Sequence, residues 1–413
     1  MAESIINNRN FILFGLQPWD IEIGSNFKNM AMEIAKNNRV LYVNYPADRI
    51  SILKGASEQR IKNRLESIKT GKNELTEVSE NLYVLNPRII VESINWIPFQ
   101  TIYNKLNYRN NLLLSKEIIK ASSKLEMSDP ILIIDNDFLR GFYLPELIQH
   151  DLFLFYIRDY LLSQKYFKKH GKELEPGMIY KSDATVCNSS YLTDYAKKYN
   201  SNSYYIGQGC DVQSFLPYGK IPDPKLQELN EPVVGYCGAL LAGRLDIDLI
   251  SNLAKQHKEI NFVFVGPEDE TFKKSDVHHI SNIIFTGPKP ADELPDFINR
   301  FDVCINPQLL NEMTIGNYPR KIDEYLASGK PVVATATPAM EPFKEYVYLS
   351  STSGEFSANI MKALNEKSET EISEKRISFA ASHTWQASVS EMYKVILKLN
   401  KKDEHKSREV IYD

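Results

Sequence analysis

The sequence predicts an α/β protein of two domains, each built on a parallel sheet whose strands are joined by crossover helices. Apolar runs rich in β-branched and aromatic residues recur along the whole chain, and helical segments separate them. A chain of 413 residues is too long for one hydrophobic core, which favours two domains of roughly 200 residues each. Prolines at positions 217, 222, 224 and 232 interrupt regular structure, so we expect the boundary between Gly209 and Pro232.

The apolar runs are interpreted as strands in chain order. In the first half they are residues 11–15, 40–44, 82–85, 131–135, 152–157, 184–188 and 204–207. In the second half they are residues 233–238, 262–266, 283–287, 303–306, 332–335 and 346–349. Many of these runs end on Gly, Asn, Asp, Ser or Thr. Because open α/β sheets bind ligands outside the carboxyl ends of their strands, we expect the functional site there.

Residues 318–337 carry the most specific signal in the chain. Pro319 suits the first turn of a helix, and Gly329 can end that helix in a left-handed conformation. Arg320 and Lys321 stand in the first turn, where the helix dipole disfavours cations by roughly 0.3–1 kcal/mol each. The two cations therefore indicate an anion bound at this end, where free backbone N–H groups also point. The alternative is that both cations pair with Glu324 on a solvated helix face.

This stretch resembles the donor-site signature of GT-B glycosyltransferases of family 1 and family 4 type, Pro-x-Lys-x-x-Glu-Tyr-x-Ala-x-Gly-x-Pro-Val-Val. The matching positions are Pro319, Lys321, Glu324, Tyr325, Ala327, Gly329, Pro331, Val332 and Val333. The resemblance implies that Lys321 meets the diphosphate of a nucleotide sugar and that Glu324 binds the ribose hydroxyls. It also implies the GT-B fold, in which two Rossmann-like domains face a central cleft. It covers residues 183–400 well and the first 180 residues only loosely.

On the GT-B fold we expect residues 1–209 to form the acceptor-side domain and residues 233–384 the nucleotide-sugar-binding domain. Residues 210–232 would link them, and a helix over residues 385–400 would cross back to the first domain. Residues 401–413 would form a charged, frayed tail. The active site is expected in the cleft between the two domains.

A turn of small residues follows the first strand of the second half. The span from Gly238 to Arg244 lacks the Lys-Ser/Thr ending of a P-loop, and no Gly-x-Gly-x-x-Gly supports a nicotinamide cofactor. The segment resembles the first turn of the GT-B donor domain, which implies that Arg244 contacts the diphosphate beside the Gly238 turn. The alternative for Arg244 is a surface ion pair with Asp246 or Asp248.

The loop of residues 306–317 joins a strand to the predicted Pro319 helix, so its N–H groups, with Thr314 among them, should lie beside the diphosphate. Many retaining GT-B enzymes carry two glutamates eight positions apart. Glu324 supplies the second, whereas Gly316 occupies the first position and Glu312 lies four positions earlier. This departure leaves retention or inversion open. The loop is more similar to bacterial polysaccharide and teichuronic-acid transferases.

The acceptor side is read from generic chemistry, because an inverting transferase needs a base that deprotonates the attacking hydroxyl. Asp159 follows a strand of the first half and is our first candidate, and Asp20 is the second. Asp137 also follows a strand. For each of them the alternative is a helix cap or an ion pair, such as Asp159 with Arg158. Trp19 could stack on a sugar ring, although packing in the core is the commoner role of tryptophan.

Residues 60–72 form a basic amphipathic segment that could lie on an anionic membrane surface. The alternative is a merely solvated basic face. No apolar run reaches the length of a membrane span and the chain start is no signal peptide, so we expect a cytoplasmic protein. If the basic segment contacts a membrane, the protein would be peripheral on the inner face of the plasma membrane.

Composition excludes several classes of protein. A net charge of −4 argues against a nucleic-acid binder, which usually carries a basic excess. The cysteines at positions 187, 210, 237 and 304 show no Cys-x-x-Cys spacing, and neither they nor the histidines predict a metal site. Asp246 and Asp248 have Asp-x-Asp spacing, but they lie on an apparent helix.

From the resemblance we expect a metal-independent hexosyltransferase with no cofactor besides its nucleotide-sugar co-substrate. It would move a sugar from a nucleotide diphosphate sugar to a hydroxyl of a glycan or lipid-linked glycan in cell-surface polysaccharide synthesis. Lys321, Arg320, Arg244 and the Gly238 turn would stabilise the charge that builds on the leaving diphosphate. Two alternatives remain: a nucleotide-sugar epimerase of the same fold, and a non-catalytic nucleotide-sugar-binding protein.

Overall fold

The computed structural model describes residues 4–20, 25–55, 59–216, 226, 229, 232–366 and 370–409. The chain divides into two compact units. The first unit comprises Met1–Gly207 and Gln386–Asp413, and the second comprises Gln208–Trp385. The predicted linker, residues 210–232, lies largely outside the described residues, as does the end of the predicted tail, residues 410–413.

The first unit is built on an eight-stranded sheet in the order β10-β9-β8-β7-β1-β2-β5-β4. The strand pairings in this sheet are parallel except that of β4 with β5, which is antiparallel. Strands β3 and β6 form a second, two-stranded sheet. The strands are β1 Asn10–Gly15, β2 Arg39–Val43, β3 Ala47–Asp48, β4 Leu75–Ser79, β5 Leu82–Leu85, β6 Ile90–Val91, β7 Ile131–Asp135, β8 Leu152–Ile157, β9 Ala184–Cys187 and β10 Ser203–Tyr205. The helices up to residue 207 are α1 Asn26–Ala35, α2 Arg49–Gly55, α3 Gln59–Thr70, α4 Gln100–Lys124, α5 Leu144–Leu147, α6 Lys165–Lys181 and α7 Ser190–Lys197.

Both faces of this sheet are covered, which explains why its central strands are apolar without alternation. In β1, Ile12 and Phe14 belong to one hydrophobic core, and Phe11 and Leu13 belong to the core on the opposite face. The second of these cores is completed by the last helix of the described chain, α14 Trp385–Glu409. The side chains that α14 contributes are Val389, Met392, Tyr393, Val395, Ile396 and Leu399.

The second unit contains a six-stranded sheet of parallel pairings in the order β13-β12-β11-β14-β15-β16. Its strands are β11 Val233–Cys237, β12 Asn261–Val265, β13 Ile283–Gly287, β14 Val303–Asn306, β15 Val332–Thr335 and β16 Tyr348–Ser350. The α-helices between residues 233 and 384 are α8 Ile247–Gln256, α9 Glu270–Lys273, α10 Leu294–Arg300, α11 Lys321–Ala327, α12 Ser353–Glu366 and α13 Thr370–Ala381. The strand order reverses between β11 and β14, and a doubly wound sheet binds ligands at such a switch point.

The predicted α/β architecture is confirmed. For several strands, the predicted first and last residues are those of the structure. These are residues 82–85, 131–135, 152–157, 283–287, 303–306 and 332–335, while the others are shifted by one or two residues. The sequence prediction missed β4, an edge strand with a largely exposed pattern, and the two-residue strands β3 and β6. Neither kind of strand buries enough apolar surface to leave a signal in the sequence.

The helix after Pro319 differs from its prediction at one end. Helix α11 begins at Lys321, so Pro319 precedes the helix and is not in its first turn. Its carboxyl end is as predicted: Gly329 has a φ of +70°, and its N–H donates to Leu326 O at 2.9 Å. The N–H of Lys330 donates to Tyr325 O at 3.1 Å, which completes a Schellman cap.

Glu175 in α6 is a buried carboxyl group whose titration should be visible in the stability of the protein. It is 0% exposed, and Tyr195 OH donates to its Oε2 at 2.7 Å. Burial raises its pKa to about 7, although the hydrogen bond from Tyr195 opposes this shift. Because the folded pKa lies above the ordinary value of 4.5, folding favours the protonated carboxyl. The stabilising contribution is therefore present at low pH and is lost as the pH rises through about 7.

We therefore expect Glu175→Gln to stabilise the protein at pH 8 and to have little effect at pH 4.5. Gln keeps an oxygen that accepts from Tyr195 and carries no charge. The free energy of unfolding should rise by up to about 3 kcal/mol at pH 8. Urea unfolding of both proteins at the two pH values measures this difference. An effect of the same size at both pH values would contradict the raised pKa of Glu175.

Candidate active site in the second unit

Gly238 and Lys321 lie together at the carboxyl end of β11, at the switch point of the second sheet. Gly238 has a φ of +144°, a conformation that L side chains rarely adopt. A Cβ atom at this position would lie 3.3 Å from Lys321 Nζ. The Lys321 ammonium donates to Tyr236 OH at 2.8 Å and lies 4.5 Å from the centre of the Tyr236 ring. A fixed cation therefore stands beside a turn whose backbone can approach a ligand closely.

Arg320 and Glu324 form the pair that was the alternative in the sequence interpretation. Arg320 Nε lies 3.0 Å from Glu324 Oε1, and the Glu324 side chain is 11% exposed against 41% for Arg320. Lys321 is not part of this pair, because its ammonium donates to Tyr236 OH. The interpretation that both cations pair with Glu324 is therefore correct for Arg320 and wrong for Lys321.

Arg244 lies in the loop between β11 and α8, where backbone bonds hold it. Its N–H donates to Leu241 O at 2.8 Å, and its carbonyl accepts from Leu309 N at 2.9 Å. Its Nε is buried and has no hydrogen-bond partner among the described residues. Asp246, proposed as its surface partner, instead caps α8 by accepting from Leu249 N at 2.9 Å. The guanidinium thus retains a donor for a ligand.

Thr314, predicted to lie beside the diphosphate, is bonded within the loop before α11, and its N–H donates to Asn311 O at 3.2 Å. It is fully buried, its hydroxyl donates to Leu309 O, and it accepts from Asn311 N at 3.1 Å. The hydroxyl is therefore committed to the shape of the loop. Glu312, the possible substitute for the missing glutamate, is exposed, and Gly316 is buried.

A group of buried polar atoms was missed by sequence reasoning. These atoms lie at the carboxyl ends of the neighbouring strands β14 and β15 or in the segments after them, and they have no hydrogen-bond partner in the described part of the chain. They are Asn306 Oδ1 and Nδ2, Gln308 Oε1, Asn317 Oδ1, Thr335 Oγ1 and Thr337 Oγ1. Asn306 is 0% exposed. Because buried polar groups are normally paired, this concentration indicates a ligand that supplies hydrogen bonds.

Helix α11 is held in place by a buried carboxylate. Asp323 is 0% exposed, and its oxygens lie 2.6 Å from His383 Nδ1 and 2.9 Å from Tyr318 OH. Burial raises the pKa of Asp323, while the contacts with His383 and Tyr318 oppose that shift. This network connects α11 to residues before and after it, and it fixes the register from which Lys321 and Glu324 project.

In the first unit, Asp159 lies beyond the carboxyl end of β8 and belongs to a row of charges. Arg158 Nη1 lies 3.3 Å from Asp159 Oδ2, and Arg158 Nε lies 2.7 Å from Oδ1 of the buried Asp135. Asn136 Nδ2 donates to the carbonyl of Asp159 at 2.8 Å, which holds the loop. The Asp159 side chain is 34% exposed, so this carboxylate is paired and still reachable from solvent.

Asp20 and Asp137 each form an ion pair with an arginine. Arg64 Nη2 and Nη1 lie 2.8 and 3.0 Å from the two oxygens of Asp20, and Asp137 pairs with Arg140 at 2.7 Å. The contact with Arg64 also corrects the interpretation of residues 60–72. Helix α3 does form there, but Arg64 is buried and is absent from any basic surface stripe.

Trp19 is packed in the first unit. Its ring lies 5.3 Å from that of Tyr42 in an edge-on arrangement, and Lys28 Nζ lies 4.8 Å from its centre. It packs against the core that contains Phe11 and Leu13. The packing interpretation fits this position better than stacking on a sugar.

Comparison with known proteins identifies related sequences and folds. Residues 231–366 match the family model described as Glycosyl transferases group 1. The putative teichuronic acid biosynthesis glycosyltransferase TuaH of Bacillus subtilis (strain 168) is 28% identical over 242 residues. That match covers 55% of this chain and 60% of the TuaH sequence.

Among solved structures, sucrose-phosphate synthase from Thermosynechococcus elongatus superposes with a TM-score of 0.64 at 14% identity. The match covers 96% of this chain and 100% of that one. Anabaena HepE in complex with UDP gives a TM-score of 0.62 at 14% identity and covers 94% and 99% of the two chains. The fold is therefore GT-B. The predicted resemblance to GT-B glycosyltransferases is confirmed, with the group 1 domain at residues 231–366.

Proposed function

We propose that the protein transfers a sugar from a nucleotide diphosphate sugar to a hydroxyl of a glycan or lipid-linked glycan in cell-surface polysaccharide synthesis. The group 1 domain and the similarity to TuaH support this function. The structures of HepE with UDP and with UDP-glucose support a uridine diphosphate sugar as the donor to test first. The comparisons favour neither the epimerase nor the non-catalytic binding protein.

The observation that carries the proposal is the environment of Lys321. Its ammonium lies beside the Gly238 turn, and unpartnered polar atoms lie at or just beyond the carboxyl ends of the neighbouring strands β14 and β15. In glycosyl transfer, negative charge builds on the leaving diphosphate. A cation already held by Tyr236 needs little rearrangement to stabilise that charge, and Arg244 Nε offers a further donor. We assign Gly238, Arg244, Arg320, Lys321 and Glu324 to the donor site.

A thermal-shift screen tests the donor. We expect one nucleotide sugar from a panel of UDP and GDP sugars to raise the Tm in a concentration-dependent manner, because ligands that bind the native state stabilise it. Incubation with that donor and an extract of lipid-linked glycans should then release the nucleoside diphosphate. Failure of every nucleotide sugar to bind would refute the proposal. Binding without transfer indicates a binding protein, and a change in the sugar itself indicates an epimerase.

Glu324→Ala should weaken binding of UDP more than binding of pyrophosphate, since the proposed partner of Glu324 is the ribose. Two good hydrogen bonds to a carboxylate contribute about 1.5–3 kcal/mol each, so a loss of tenfold or more in UDP affinity is expected. Calorimetric titration with both ligands measures the difference. The variant also releases Arg320 from its pair, and a freed Arg320 would act on UDP and pyrophosphate alike, so the comparison of the two ligands separates that effect from the ribose contact. Equal losses for UDP and pyrophosphate would contradict the ribose role.

The acceptor hydroxyl needs a proton acceptor, and we propose Asp159 ahead of Asp20. Asp20 is held by both nitrogens of a buried arginine, whereas Asp159 has one contact with Arg158 and remains partly exposed. Because Arg64 holds both oxygens of Asp20, an acceptor hydroxyl can reach Asp159 more readily. Metal-independent turnover is part of the proposal, and activity in the presence of a chelator tests it.

In the part of the chain that the structure describes, no helix combines the length and apolar character that a membrane span requires. We propose a cytoplasmic location with contact to an anionic membrane surface. Of the basic residues predicted to form that contact, Lys62 and Lys69 are exposed on α3. Co-sedimentation with anionic vesicles at low salt, reduced in the variant Lys62→Glu with Lys69→Glu, tests this contact.

A further inference from the structure

The first unit contains a cavity of about 490 Å³ that none of the predicted site residues lines. It lies between the segment that follows β2, the segment that follows β6, and helix α4. Its volume is within the range of small-molecule sites, roughly 300–1,000 Å³. Ile50, Trp96 and Tyr166 line the cavity and are also exposed, so they mark its mouth.

Several polar side chains of the cavity wall are already paired within the protein, whereas Asn95 Oδ1 has no partner among the described residues. Asp48 accepts from the hydroxyls of Ser51 and Ser93, and Asn110 bonds both backbone groups of Glu92 at 2.9 and 3.0 Å. Asn107 Nδ2 donates to Leu139 O at 2.7 Å. Since these groups need no further partner, the cavity offers its occupant mainly apolar surface, supplied by Val91, Ile94, Leu114 and other residues.

The mouth extends into exposed apolar side chains. Leu53 is 82% exposed and follows Ile50 by three positions on α2, which places both on one helix face. Trp96 is 69% exposed, and Phe99, three positions later, is 66% exposed. Large apolar side chains that are exposed beside a cavity are typical of a surface that receives an apolar ligand.

Three cations of α6 lie beside the mouth of the cavity. Lys165, Lys169 and Lys172 are exposed on α6 at spacings that share one helix face, and Tyr166 of the cavity mouth lies among them. The Lys169 ammonium donates to Trp96 O at 2.7 Å, so a cation is fixed at the rim. Two acidic residues line the cavity: Glu92 is neutralised by Arg49 at 2.9 Å, and the half-buried Asp48 accepts from two serine hydroxyls inside the wall. Arg140 adds a cation to the lining. The charge at the mouth therefore complements an anionic group.

We propose that this cavity binds the aliphatic chain of an anionic amphiphile, with the phosphate head of that molecule against the lysines of α6. Asn95 Oδ1, which is buried without a partner among the described residues, can accept a hydrogen bond from a hydroxyl near the head. The role of this molecule as the lipid-linked acceptor rests on the proposed function. Binding of the chain does not depend on that function.

Calorimetric titration with dodecyl phosphate below its critical micelle concentration tests the proposal. We expect one molecule bound per chain, no binding of inorganic phosphate, and an affinity lowered tenfold or more by Ile50→Glu. That change places a charge of the wrong sign in the apolar mouth. Leu397→Glu is the matched control, because Leu397 and Ile50 are both 40% exposed, and Leu397 lies on α14 away from the cavity. Its affinity should equal that of the wild type.

A second variant tests the head group. Lys165→Gln with Lys169→Gln should weaken binding of dodecyl phosphate severalfold and leave binding of uncharged decyl maltoside unchanged. Absence of one-to-one binding, equal losses in Ile50→Glu and Leu397→Glu, or insensitivity to Ile50→Glu would each overturn the proposal. The thermal shift with nucleotide sugars is measured on the same proteins. A failure of the donor site is thereby distinguished from a failure of this cavity.

Discussion

Replacement of Lys321 by Ala should lower the transfer rate by roughly 10²–10³, which corresponds to about 2.7–4 kcal/mol of lost transition-state stabilisation. The ammonium is held by Tyr236 at 2.8 Å beside the Gly238 turn, so the contact is organised before the donor arrives. The fold should survive, because the loss is one hydrogen bond and one contact between a cation and a ring. Initial rates with the donor identified by thermal shift, together with its Kd, measure the effect.

The second unit offers a matched control for this variant. Lys362 also lies over a tyrosine, with its Nζ 4.9 Å from the centre of the Tyr348 ring. Lys362→Ala removes the same side chain and a contact of the same kind from another helix. We expect its rate and donor affinity to match those of the wild type. If Lys321→Ala behaved like Lys362→Ala, the donor site would have to be placed elsewhere.

Asp159→Asn should lower the rate by roughly 10²–10⁴ while the donor still binds with its normal affinity. Asn keeps the shape and the hydrogen bonds of the loop but is a much weaker proton acceptor. Arg158 retains its shorter contact with Asp135, so only a small change in stability is expected. Turnover rates and the Tm separate a catalytic role from a structural one.

Asp151 provides the comparison for Asp159. It precedes β8 at the opposite end of the same strand, pairs with Arg9, and has a side chain 39% exposed against 34% for Asp159. Asp151→Asn therefore changes a carboxylate of similar exposure with a similar partner and should leave turnover normal. Near-normal turnover of Asp159→Asn would transfer the base role to Asp20, or indicate a mechanism without a protein base.

Sheet architecture was predictable because its signal is local. Runs such as Ile131–Asp135 and Val332–Thr335 are apolar up to a final polar residue, since both faces of each sheet are covered. The Schellman cap at Gly329 was predictable for the same reason, because it depends on a few neighbouring positions. The start of α11 was placed too early. Pro319 is compatible with a first helical turn, but the helix forms only from Lys321.

Contacts between distant residues were not predictable. Tyr236 and Lys321 are separated by 85 positions, and nothing in the sequence around either residue indicates that they are in contact. The pairing of Arg64 with Asp20 is of the same kind, and it removes a cation from the surface of the segment that was interpreted as basic and amphipathic. The unpartnered atoms of Asn306 and Thr335 are visible only once burial and partners are known. Packing decides all of these features.

The division of the chain has a consequence for its synthesis. The first unit needs the side chains of α14, among them Tyr393, whose hydroxyl accepts from Asn38 at 2.9 Å. The ribosome delivers these residues only after the whole of Gln208–Trp385 has been made. The second unit is continuous in sequence, and a backbone bridge between Cys210 and Thr384 joins its ends. Domains usually fold in their order of synthesis, but here the later one can be complete while the earlier still lacks its closing helix.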